Sequence, residues 1–74
     1  MKIDFKRYIE TEEGERIFEG DVIEYEFDYW GEITLKRGLI EDISEEWDGI
    51  ILIRFENGEK IYGYDISSIK KIYQ

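Results

Sequence analysis

At 74 residues and 9.0 kDa the chain has room for one small hydrophobic core, because domains of this size bury only about 60% of the surface that their unfolded chains expose. Nineteen acidic against ten basic side chains give a formal charge of −9 and a pI near 4.4, which disfavours direct contact with nucleic acid or an anionic membrane. The absence of cysteine and histidine removes disulfides, thiol nucleophiles, thiolate metal sites and the commonest general base. An enzyme is therefore not expected, and no catalytic residue, metal or cofactor is assigned. The longest apolar run, Ile50-Ile51-Leu52-Ile53, is too short to cross a bilayer, and the first residues lack the apolar stretch of a secretory signal, so the expectation is a cytoplasmic protein. A hydrophobic content of 42%, with 16% aromatic residues, separates the chain from acidic disordered tails.

Residues 1–19 read as a hairpin in which Ile3 and Phe5 alternate, a turn falls over residues 12–15 with Gly14, and Ile17 and Phe18 return. After Gly20, Ile23, Tyr25 and Phe27 share one face of a strand, and Glu24, Glu26 and Asp28 share the other. In segment 33–43 no single period of two accommodates Ile33 and Leu35 together with Ile40 and Ile43, which predicts a bulge or bend near Gly38. Residues 50–56 form a central strand, with Ile51, Ile53 and Phe55 on one side and Ile50 and Leu52 on the other. Asn57-Gly58 predicts a two-residue type I′ turn into a strand over 59–64, since both residues tolerate positive φ. Asp65-Ile66-Ser67-Ser68-Ile69 fits one turn of 3₁₀ helix, with an acid and two hydroxyls able to bond local backbone, and residues 70–73 make a last strand.

Five to seven short strands and one late helical turn predict an all-β fold, a small curled barrel over residues 20–74 preceded by the hairpin, in one domain. Closure would remove exposed strand edges. The sequence leaves open whether the hairpin closes the barrel or extends from it. The strand order from Gly20 onward, the Asn57-Gly58 hairpin and the turn at 65–69 resemble the Src-homology-3-like and Tudor-like small barrels, although the first loop is cut down to Tyr29, Trp30 and Gly31. Residues 9–23, IETEEGERIFEGDVI, resemble the opening strand-turn-strand of the YopX-like family of small bacteriophage and prophage proteins, chiefly through Ile17, Phe18, Glu19, Gly20, Asp21, Val22 and Ile23. That resemblance implies a β-rich, phage-encoded protein of a family without an established enzyme activity.

Charge is unevenly placed: residues 10–32 hold ten acids and a single base, Arg16, so this third of the chain carries the whole net charge. Glu24, Glu26 and Asp28 would project from one strand face about 6.6 Å apart, within a factor of two of the charge spacing of a nucleic-acid strand. Such a row could occupy a basic nucleic-acid groove on another protein, or could be an ordinary solvated face. Acids along a straight strand diverge, so a metal site is not expected there. Ser44, Ser67, Ser68, Thr11 and Thr34 have no histidine to activate them.

Tyr29, Trp30 and Trp47 fall in loops beside Gly31 and Gly49, where they either anchor a partner or plug the ends of the barrel. The usual disposition of loops in small barrels would bring Trp30 and Trp47 together, and Tyr62 and Tyr64 would cover the outside of the sheet. The basic pairs Lys6-Arg7, Lys36-Arg37 and Lys70-Lys71 are expected to bridge to neighbouring acids. The functional expectation is a non-enzymatic acidic protein of phage origin that blocks a basic, nucleic-acid-binding surface of a host protein, as an anti-defence inhibitor would. Glu24, Glu26, Asp28 and Glu32 would meet the partner's bases, with Tyr29, Trp30 and Trp47 as anchors. The alternative is an adaptor that binds a peptide, or its own copy, through a strand edge or an aromatic loop groove.

Overall fold

The computed structural model describes residues 4–5 and 8–73, with side chains from Tyr8 onward. Among the described residues the alternating segments form eight strands: β1 (Asp4–Phe5), β2 (Ile9–Glu10), β3 (Arg16–Ile17), β4 (Val22–Tyr29), β5 (Glu32–Glu45), β6 (Ile51–Phe55), β7 (Lys60–Tyr62) and β8 (Ile66–Ile72). A five-stranded antiparallel sheet runs β7-β6-β5-β4-β8, and β1-β2-β3 make a second small sheet. The fold is all-β and compatible with the Src-homology-3-like layout. It is not a closed barrel, because β7 and β8 stand at opposite ends of the sheet order and share no ladder among the described residues.

Ile23 and Tyr25 of β4, Ile40 and Ile43 of β5, Ile51, Ile53 and Phe55 of β6, Ile61, Ile66 and Ile69 form the core, and Ile9 and Ile17 of the small sheet belong to it at zero exposure. The N-terminal segment therefore seals the core instead of extending from it. Its hairpin differs from the expected one: β3 returns against Ile9–Glu10, and β1 adds outside β2. Ile3, Lys6 and Arg7 lie outside the described residues.

Strand β5 runs through the expected bend at Gly38 without a break and has its bulge three residues later, where the register against β6 shifts between Ile40 and Asp42. The extra residue, Glu41, reverses the alternation, so Ile40 and Ile43 both face the core. It also leaves Ile33 and Leu35, 55% and 63% exposed, on the outer face. Gly38 serves close packing: a Cβ there would stand 2.5 Å from Cδ1 of Phe55, whose ring stacks on Tyr25 at 5.2 Å.

The turn Phe18-Glu19-Gly20-Asp21 clamps this bend. The Gly20 N–H donates to the Ile40 carbonyl at 2.8 Å, the Ile40 N–H to the Asp21 carbonyl at 2.9 Å, and the Ile43 N–H to Glu19 Oε2 at 2.9 Å. Backbone groups of β5 that lie beyond the reach of β4 are thereby satisfied.

Three loops share one construction. In residues 11–15, 46–50 and 55–59 the first N–H donates to the fifth carbonyl, the fourth N–H donates to the first carbonyl, and the fourth residue is Gly at φ 85°, 86° or 90°. This is a three-residue hairpin loop, a type I turn followed by a left-handed glycine. The Asn57-Gly58 turn thus differs from the two-residue type I′ expectation, since Asn57 has no positive φ and instead accepts from the Glu59 N–H and donates to its carboxylate. The type I′ geometry falls on Trp30-Gly31, at φ 54° and 83° between the paired Tyr29 and Glu32. The 3₁₀ turn occupies Gly63–Asp65 instead of residues 65–69, and Ile66, Ser67 and Ser68 belong to β8.

Candidate protein-interaction site

Glu24, Glu26 and Asp28 share the outer face of β4, and each has a local partner. Glu24 stands between Arg37 of β5 and Lys70 of β8, at 3.0 and 3.4 Å, with only 14% of its side chain exposed. The Arg37 hydrogen bond does most to hold its carboxyl below the ordinary range; burial opposes it, and Lys70 adds to the lowering. Glu26 accepts a short hydrogen bond from the Ser68 hydroxyl, and Asp28 Oδ1 accepts from the Gly31 N–H at 3.1 Å, fixing the Trp30 turn. The row stands on one face as the alternation along β4 predicts, and cross-strand register adds what alternation could not reveal, a base on each side of Glu24.

The described basic pairs are spent in the same way. Lys36 meets Glu59 at 3.3 Å, and Lys71 meets Asp21 at 3.1 Å. Asn57 first, and Lys36 after it, lower the carboxyl of Glu59. No group of three or more acidic, histidine or cysteine side chains among the described residues is arranged to hold a metal ion.

Both tryptophans are exposed, Trp30 at 90% and Trp47 at 95%, so neither plugs an end of the sheet. They occupy turns at opposite ends of β5, and no ring contact joins them among the described residues. Trp30 meets Tyr29 edge-on at 6.2 Å, and Tyr29 stacks on Phe27 at 6.0 Å. Glu32 is exposed at the start of β5.

Trp47 opens a second surface. Its loop is held by the Glu46 and Gly49 backbone bonds and by an Asp48 carboxylate that accepts from the Ile50 N–H at 3.3 Å. The loop borders a groove of about 280 Å³ lined by Glu46, Trp47, Asp48, Ile50, Tyr62 and Tyr64, with the two tyrosine rings stacked at 5.4 Å. No lining residue is basic. Tyr62 lies beside Leu52 in the β6–β7 register, and the 3₁₀ turn that follows β7 places Tyr64 against it. Sequence reading identified Trp47 but left Tyr62 and Tyr64 as surface cover, because their approach to Trp47 depends on the turn at Gly63–Asp65. The acids beside Trp47, in Glu45-Glu46-Trp47-Asp48, were the available signal.

No protein-family model matches this chain, and neither does any curated protein or solved structure.

Proposed function

We propose that this chain is a non-enzymatic binding protein that engages a basic surface of a partner protein and that the Trp47 groove is its docking point. The observation that carries this reading is one groove holding three exposed or half-exposed aromatic residues and two carboxylates with no basic residue among them. An arginine or lysine entering there gains ring attraction, about 0.5–2 kcal/mol, and a carboxylate partner. The backbone that carries Trp47 is fixed by its loop, so little loop entropy is lost on contact. If the origin is a phage, as the YopX-like resemblance implies, the partner is a host protein whose basic surface serves nucleic acid, and the effect is inhibition. The acids of β4 then contribute to long-range attraction more than to contact.

The test is a calorimetric titration of the chain with an arginine-rich peptide, at low and moderate salt. Saturable binding that Trp47→Ala weakens about tenfold and that Asp48→Asn weakens less supports the reading. Binding that survives Trp47→Ala unchanged would be diffuse attraction to a chain of charge −9 and would overturn it.

A further inference from the structure

We infer that the free edge of β5 over residues 32–37 is a self-association site, at which a second copy of this chain adds antiparallel about a two-fold axis. β5 pairs with β4 through Glu32–Leu39 and with β6 only from Ile40 onward, so its first half has a strand on one side alone. The Tyr29↔Glu32 pair closes the two-residue turn and is hydrogen-bonded, so Phe27↔Thr34 and Tyr25↔Lys36 are too. Ile33, Leu35 and Arg37 therefore direct their N–H and carbonyl groups to the open side. The opposite edge of the second half of β5 is capped by the Phe18–Asp21 turn. Nothing equivalent caps residues 33–37 among the described residues, and an uncapped edge with exposed apolar side chains is a template for another strand.

The register selects a second copy as the occupant. A two-fold axis perpendicular to the sheet through Thr34 sets each residue opposite the one whose number completes 68, and keeps both on the same face. Glu32 of each copy then meets Lys36 of the other on the core-side face. Ile33 meets Leu35 on the outer face, twice, and Thr34 meets its own equivalent. Glu32 makes no ion pair within the chain among the described residues, so it is available, and it would share Lys36 with the Glu59 carboxylate that this lysine meets within the chain. Centring the axis on Leu35 instead sets Ile33 against Arg37 and Lys36 against Thr34, which wastes both complementary pairs. Opposite-charge, apolar and threonine pairs are the favourable cross-strand combinations. Five residues of edge make a small interface, of the weak and transient class.

Sedimentation of the full chain from about 10 μM to about 1 mM, the range that such interfaces require, is the test, with amide exchange read in parallel. The expected result is a rise to twice the monomer mass, with protection of the Ile33 and Leu35 amides that grows with concentration. Leu35→Pro removes only an outward donor, which an edge strand tolerates, so it should abolish the dimer while circular dichroism stays unchanged. Glu32→Lys should weaken association about tenfold, and adding Lys36→Glu with Glu59→Gln, which spares the new carboxylate a like charge, should restore it by exchanging the pair. A monomer throughout, or a dimer that Leu35→Pro leaves intact, overturns the inference.

Discussion

At φ 54° the Trp30 backbone sits in the left-handed region, where a Cβ crowds the following carbonyl and costs about 1–2 kcal/mol. Asparagine bears that conformation more easily, and the indole, 90% exposed, repays only an edge contact with Tyr29. Trp30→Asn is therefore expected to raise stability by about 1 kcal/mol, read as a higher denaturant midpoint at constant slope. A mutant that is less stable would show that the indole supports the hairpin through Tyr29. The same residue shows where local turn chemistry stops being informative. Asn57-Gly58 has the composition of a type I′ turn and Trp30-Gly31 does not, yet pairing of β4 with β5 and of β6 with β7 fixes the loop lengths. The acid or amide before Gly14, Gly49 and Gly58 fits a type I turn equally well, so composition alone could not rank the two.

Among the elements, the Phe18–Asp21 turn does for β5 what a neighbouring strand would have done. Glu19→Ala removes the acceptor of the Ile43 N–H beside the bulge and should cost about 1–3 kcal/mol, measured by chemical denaturation, with faster exchange of the Ile43 amide. The strands around this clamp were legible in the sequence because Ile23/Tyr25 and Ile51/Ile53/Phe55 keep a strict alternation toward the core. The clamp was not legible, because Glu19, Gly20 and Asp21 act on Ile40 and Ile43, distant along the chain, through bonds to the backbone that leave no periodic trace. The bulge left such a trace, the clash between Ile40 and Ile43, but its place depends on where β6 stops. The segment Phe18–Asp21 is thus a structural fastening.

Over the whole molecule the charge of −9 is less concentrated than its sequence suggests, because cross-strand partners neutralise part of it. Glu24 is the clearest case. Folding favours its ionised form, so the stability contributed by its bases is complete above the ordinary carboxylate value of 4.5 and is lost as pH falls through the lowered folded value. Glu24→Gln should be less stable than the parent at neutral pH, with the gap closing below about pH 4.5 in parallel thermal melts. A gap independent of pH would assign the loss to packing. Of the candidate site, the exposed Trp47 and its acidic neighbours could be read from the sequence, whereas the stacked tyrosines could not, since they reach the groove only through the turn after β7.

Glu15 is the fastening between the small sheet and β8: its carboxylate accepts from the Lys71 N–H at 2.9 Å and from the Tyr73 hydroxyl at 3.1 Å, raising the phenol's pKa. These partners stand 56 and 58 residues apart along the chain. The hairpins of the main sheet close over short loops and can form early, but Ile9 and Ile17 reach the core only when this long loop shuts. Completing the hydrophobic seal therefore carries the closure entropy of a loop of 56 to 58 residues, which ties the small sheet to the last strand.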